Sequence, residues 1–174
     1  MRRVRLWALL LPLVACSSAC GADGGGGGGG GDCQLATTLQ WNGAGPLISP
    51  ISDATHNLLA VKDPSVVRFN DRWHVYASSV STTGAYSTVY LSFSDWTDAP
   101  TAPMYYMNQT SGFGGYTAAP QVFFFRPQNK WYLVYQSGPP MYSTANDLGD
   151  PTSWTPPTPF FADTPAIITQ NSDD

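Results

Sequence analysis

The sequence predicts an all-β domain built from repeated modules of short strands. Three observations point there. Apolar and aromatic runs of strand length alternate with turn residues, and no stretch carries a convincing helical period. Two segments share one shape: Leu59-Ala60-Val61-Lys62-Asp63-Pro64-Ser65-Val66-Val67 and Ala118-Ala119-Pro120-Gln121-Val122-Phe123-Phe124-Phe125, with their prolines 56 residues apart. Trp73 and Trp131, 58 residues apart, stand in equivalent places, each after a basic residue and before His or an aromatic. Modules of this length with three or four short strands are blade-like, as in a β-propeller. A β-sandwich with Greek-key turns is the competing architecture.

The chain begins with a leader and a tether rather than with fold. Arg2, Arg3 and Arg5 make a basic start, and Leu6 to Val14 an apolar stretch too short to span a bilayer as a mature helix. Leu13-Val14-Ala15-Cys16 resembles the lipobox of bacterial lipoproteins, which implies residues 1–15 as signal peptide and lipid on Cys16. An ordinary secretory signal cut after Ala15 or Ala19 is the alternative. Residues 16–32 contain the unbroken glycine run Gly24 to Gly31, a flexible tether that can bury nothing. Either leader exports the protein, and a lipid anchor would be its sole membrane attachment. Cys20 and Cys33 could pair only across the tether.

Residues 33–174 carry the strands. Val66 to Phe69, Trp73 to Ser79 and Ser87 to Phe93 read as the first set, with Asn70-Asp71 as a hairpin turn and Asp95-Trp96 as a turn at its end. Val122 to Arg126, Trp131 to Gln136 and Pro140 to Ser143 read as the second, turning at Pro127-Gln128-Asn129. Thr164-Pro165-Ala166-Ile167-Ile168 begins a third. A propeller closes typically four or more blades to remove its sheet edges. Two blades and the start of a third therefore predict the N-terminal portion of a larger ring.

Composition narrows the function. Without the three early arginines, five basic residues face twelve acidic ones, a net charge near −7. That excludes the basic face a nucleic-acid binder needs. Abundant Trp, Tyr, Asn and Gln with little charge suits a neutral polysaccharide. His56 and His74 lack the spacing of a metal pair, and His74, alternating with Val75, is expected to pack inside a blade. Asn108-Gln109-Thr110 is a glycosylation sequon, expected to be idle in a bacterial lipoprotein.

Asp63 is the candidate for chemistry. It precedes a proline at the mouth of an apolar strand, where the equivalent residue is Ala119. A carboxylate kept where its repeat-mate needs none is available for work. An Asx-Pro turn entering a strand is the plainer reading.

Trp41, Gly45-Pro46-Leu47, Lys62-Asp63-Pro64-Ser65-Val66-Val67, Trp73-His74-Val75-Tyr76-Ala77, Tyr90-Leu91-Ser92-Phe93-Ser94-Asp95-Trp96, Ala118-Ala119-Pro120-Gln121-Val122-Phe123, Pro127-Gln128-Asn129-Lys130-Trp131-Tyr132-Leu133-Val134-Tyr135-Gln136 and Pro165-Ala166-Ile167-Ile168-Thr169-Gln170-Asn171, in this order and spacing, resemble glycoside hydrolase family 62. The resemblance runs from about Cys33 to the last residue and covers the N-terminal half of that family's catalytic domain. It implies a five-bladed β-propeller and a secreted, monomeric α-L-arabinofuranosidase. Such an enzyme removes arabinofuranose branches from arabinoxylan, or from arabinose-substituted xylo-oligosaccharides, with inversion. A related arabinanase, or a non-catalytic carbohydrate-binding lipoprotein, are the other readings.

Inversion needs a carboxylate to activate water and a carboxylic acid to protonate the leaving oxygen. The resemblance makes Asp63 the base, puts Lys62 in the sugar pocket where its charge would keep Asp63 ionised, and puts Gln136 and Gly138 in a loop lining the cleft. The plainer reading of Gln136 is a strand-end hydrogen bond. The family's acid is a glutamate, and all twelve acidic residues here are aspartates; Asp173 and Asp174 fall too early to be the second aspartate that tunes it. No cofactor is implied, and the structural calcium of some members has no counterpart in these motifs.

Overall fold

A computed structural model of the chain describes residues 43, 45–163 and 165–167. The expected leader, tether, lipidated Cys16, Cys20, Cys33, Trp41 and Asp173 lie outside the described residues. Two four-stranded antiparallel sheets make up the fold, each an uninterrupted meander. The first runs β1 (Leu58–Phe69), β2 (Arg72–Ser81), β3 (Tyr86–Phe93), β4 (Tyr105–Tyr106); the second β5 (Ala118–Phe125), β6 (Lys130–Gln136), β7 (Pro140–Ala145), β8 (Thr158–Pro159). Strand order follows chain order in both, the arrangement of propeller blades and not of a Greek-key sandwich.

The turns explain themselves. Asn70 and Asp71 both take positive φ, 47° and 56°, which matches the right-handed twist of a two-residue hairpin and suits short polar side chains. After β5 the chain makes one 3₁₀ turn, Arg126–Gln128, and Asn129 ends it in the left-handed region. Asp95 does more than turn the chain: its carboxylate accepts from the Thr97 amide and caps the 3₁₀ segment Trp96–Thr101. Outer strands β4 and β8, two residues each, gave no signal in the sequence. Of the expected third module, Ala166 and Ile167 have helical backbone, while Thr164 and Ile168 are outside the described residues.

Both faces of the first sheet are covered. Along β2, Tyr76 points into a core shared with the second sheet, and its neighbours Val75 and Ala77 point the other way, as the two-residue period requires. The shared core joins Tyr76 and Tyr90 to Val122, Trp131, Leu133, Tyr135, Leu148 and Trp154. Tyr76 is fully buried. Its hydroxyl donates to the Leu148 carbonyl at 3.3 Å and accepts from Trp154 Nε1 at 3.0 Å, and burial pushes it far above its ordinary pKa. His74 is buried as expected, with Nδ1 2.9 Å from Tyr90 Oη and Nε2 3.2 Å from the Phe69 carbonyl. Burial lowers its pKa.

Candidate active site

The two repeated segments fold alike to the level of single dihedral angles. Lys62 pairs with Ser78 and Ser65 with Tyr76, so Asp63-Pro64 bulges out of the ladder. Ala118 pairs with Gln136 and Gln121 with Val134, so Ala119-Pro120 bulges in the same way. Asp63 has φ 51° and Ala119 φ 50°. A bulge is where a strand tolerates proline, which has no N–H to give the ladder. The prolines therefore sit inside β1 and β5, not at their starts as the sequence suggested. A left-handed residue before proline is strained, and alanine gains nothing there from side-chain hydrogen bonding. The bulge is thus a demand of the fold, and Ala119 meets it without a carboxylate.

At Asp63 the carboxylate is exposed, 3.6 Å from the Lys62 ammonium. The Lys62 Nζ lies 4.9 Å from the centre of the Tyr86 ring. Hydrogen bonding to Tyr86, and then the Asp63 charge, raise the Lys62 pKa above its ordinary value. Tyr86 meets Tyr116 at a tilted 5.8 Å between ring centres. Tyr116 Oη donates to Gln136 Oε1 at 3.3 Å. A continuous run of contacts thus links Asp63, Lys62, Tyr86, Tyr116 and Gln136, from the first sheet to the second.

Three of the four site residues expected from sequence, Asp63, Lys62 and Gln136, fall on this run. Gly138 follows in the turn between β6 and β7 with φ 79°, closed by the Ser137 amide on the Pro139 carbonyl at 3.1 Å. A Cβ placed on Gly138 would meet nothing within 4 Å. Gln136 occupies in the second ladder the position that Ser78 holds in the first. The sequence reading missed Tyr86 and Tyr116. Tyr86 opens a strand after the turn Thr83-Gly84-Ala85, and Tyr116 follows Gly114-Gly115 just before the second bulge; aromatics at these loop–strand junctions were the available signal.

A second cluster lies nearby. The His56 ring stacks on Tyr106 at 3.7 Å with its planes 6° apart. Its Nδ1 is 2.9 Å from Asp53 Oδ1 and its Nε2 3.1 Å from Asn108 Oδ1. The His56 hydrogen bond first, and the Thr55 amide second, hold Asp53 well below the usual carboxylate range. Among the described residues no group of three or more His, Cys or Asp could hold a metal ion, and no helix is long and apolar enough to cross a membrane.

The chain has known relatives. The model for glycosyl hydrolase family 62 matches residues 40–173, and the chain belongs to that family. It is 45% identical over 119 residues to alpha-L-arabinofuranosidase C of Cellvibrio japonicus (strain Ueda107), covering 68% of this chain and 18% of that protein. The solved catalytic domain of the Coprinopsis cinerea family 62 alpha-L-arabinofuranosidase superposes with a TM-score of 0.69 at 50% identity, over 73% of this chain and 39% of that one. A family 62 hydrolase solved in complex with xylotriose superposes with a TM-score of 0.68 at 44% identity, over 73% of this chain and 38% of that one. The chain therefore spans about two fifths of the solved domains it matches.

Proposed function

We propose that Asp63 is the general base of an inverting α-L-arabinofuranosidase acting on arabinoxylan or arabinose-substituted xylo-oligosaccharides. The observation that carries this reading is the pair of matching bulges. Both strain the backbone identically, and only the first presents a charged, exposed carboxylate. Membership of family 62, with arabinofuranosidases at 45% and 50% identity, supports the substrate class. In this reading Asp63 accepts a proton from the attacking water on the face opposite the leaving oxygen. Lys62 beside it donates to sugar hydroxyls. Gln136 and the turn at Gly138 line the cleft toward the xylan chain, and the open space at Gly138 leaves room for a sugar.

The chain supplies the base half of the pair. The acid of an inverting pair stands roughly 6.5–9.5 Å from the base, and the family resemblance makes it a glutamate, a residue type this chain does not contain. That fact favours one second reading, carbohydrate binding without turnover. In either case we infer an exported protein held by lipid at Cys16, on the strength of Leu13-Val14-Ala15-Cys16.

Joining the chain to the remaining part of a family 62 catalytic domain tests the assignment. The joined protein should release arabinose from arabinoxylan, and Asp63→Ala should remove that activity. Undiminished release by the Asp63→Ala form overturns the assignment of the base.

A further inference from the structure

The two sheets pack through faces that the repeat makes comparable. On the first sheet Val67, Tyr76 and Tyr90 face the second, where Val122 and Leu133 receive them. The ladders then align position by position. Val67 pairs with His74 as Phe123 pairs with Tyr132, and Tyr76 pairs with Tyr90 as Val134 pairs with Tyr142. Phe123, Val134 and Tyr142 therefore stand on the far face of the second sheet where Val67, Tyr76 and Tyr90 stand on the near face of the first. The converse holds too. Val66 pairs with Val75 as Val122 pairs with Leu133, so the far face of the first sheet repeats the receiving face of the second.

Both far faces are apolar and open among the described residues. On the second sheet a row of rings crosses from β5 to the residue after β8. Phe123 stacks on Tyr132 at 5.7 Å, Tyr132 on Tyr142 at 5.5 Å, and Tyr142 meets Phe160 edge-on at 6.4 Å. Phe123 is 43% exposed and Phe160 50%. A continuous apolar patch of this kind marks an interaction surface. On the first sheet the far face holds a groove of about 270 Å³, with Val75 and Ala77 at its floor and Leu47, Val66 and Trp96 around it. Val66 is 41% exposed. One face thus presents rings and the other a groove, the same pairing of shapes that joins the two sheets inside the chain.

We propose that copies of this chain associate head to tail, with the aromatic row of one copy seated on the Val66 groove of the next. The contact continues the interface that already joins the first sheet to the second. It is heterologous, because each copy contributes a different face to its two neighbours. It rests on the repeat and holds whatever the role of Asp63.

Sedimentation of the 174-residue chain tests it. The mass should rise with concentration between about 1 and 100 μM, as for a contact at the small end of protein interfaces. Phe123→Lys spoils the row and Val66→Lys the groove, so each variant alone should stay monomeric. Mixed together they should form a one-to-one pair and nothing larger, because one intact row then meets one intact groove. Both residues are exposed, and a cooperative urea transition checks that each variant is folded. Phe160→Lys serves as the second row variant. Joining the remaining part of a family 62 domain should abolish the association, since its sheets would take both faces in a closed ring. A parent that stays monomeric at about 100 μM overturns the proposal. So does a Val66→Lys form that associates like the parent, which would mean that two rows pair with each other. Mixed variants that fail to pair, or a joined protein that associates undiminished, overturn it as well.

Discussion

The amide of Ala119 donates to Ser78 Oγ at 2.7 Å. Ser78 is the ladder partner of Lys62, so the bulge of the second sheet is fastened to the strand position opposite the residue next to Asp63. A second tie runs parallel: the Val122 amide donates to Ser65 Oγ at 2.9 Å. Both amides belong to β5, which a bulge has freed from its own ladder at Ala119. The irregularity that positions Asp63 in one sheet thus supplies the donor that docks the other.

Removing that tie should be felt. Ser78 is fully buried, so Ser78→Ala leaves the Ala119 amide without its acceptor and should cost about 1–3 kcal/mol. Ser65→Ala should cost a similar amount. Because both hydroxyls dock the same strand, the double variant should deviate from additivity. Urea midpoints of the four forms measure this; a Ser78→Ala midpoint equal to the parent's would show that the tie carries no stability.

Acid should destabilise the fold in two windows. His74 is buried and its folded pKa lies below its ordinary 6.5, so the folded state resists the proton. Its contribution is complete above about pH 6.5 and is lost as pH falls through the lowered folded value. Asp53, Asp95 and Asp150 are also depressed, each chiefly by hydrogen bonds it accepts. Their contribution is complete above about pH 4 and is lost further into acid. All three are exposed, so salt and solvent keep this second loss small. Thermal midpoints between pH 8 and pH 3 check both windows. A midpoint that stays level from pH 7 down to pH 5 would contradict the first.

Burying a polar pair between the sheets gives a third expectation. Tyr76→Phe removes the acceptor of Trp154 Nε1 and should cost about 1–3 kcal/mol. Replacing Trp154 by Phe as well should recover part of that, because the orphaned donor goes with it. Urea denaturation of the single and double variants separates the hydrogen bond from the packing.

Strand content was legible where pattern and turn chemistry agreed. Asn70-Asp71 between alternating residues gave the β1–β2 hairpin, and the equivalence of Trp73 and Trp131 gave the repeat of the sheets. Strands β4 and β8 escaped because two residues carry no period. Proline is expected at strand ends, which points to strands that start at Pro64 and Pro120; bulges let both prolines sit inside. For the candidate site, the repeat pointed to Asp63, and the family resemblance pointed to Asp63, Lys62 and Gln136; the structure places these three on one run of contacts. Tyr86 and Tyr116 were not, since each joins the site through a fold-level approach of two sheets, and an aromatic at a loop–strand junction looks the same whether it packs or binds.

Asp63 offers the sharpest separation of function from fold. If its carboxylate serves chemistry, the backbone should accept a neutral residue that tolerates φ near 51°. Asparagine does so, and alanine already does at Ala119. Asp63→Asn should therefore hold the unfolding free energy from urea denaturation within about 0.5 kcal/mol of the parent, the usual span for a surface substitution. Asp63→Val should destabilise more, because a β-branched side chain is forced into the left-handed region ahead of proline. In the chain joined to the rest of a family 62 domain, Asp63→Asn should cut arabinose release by at least about 10²-fold, the lower bound for losing a general base. Gln136→Ala should act differently if it lines the cleft as proposed, raising KM with kcat little changed, because that role does not touch the reacting atoms. Equal midpoints with equal arabinose release in the Asp63→Asn form would make Asp63 a turn residue after all. A collapsed midpoint in Asp63→Asn, with Asp63→Val no worse, would make it a structural one.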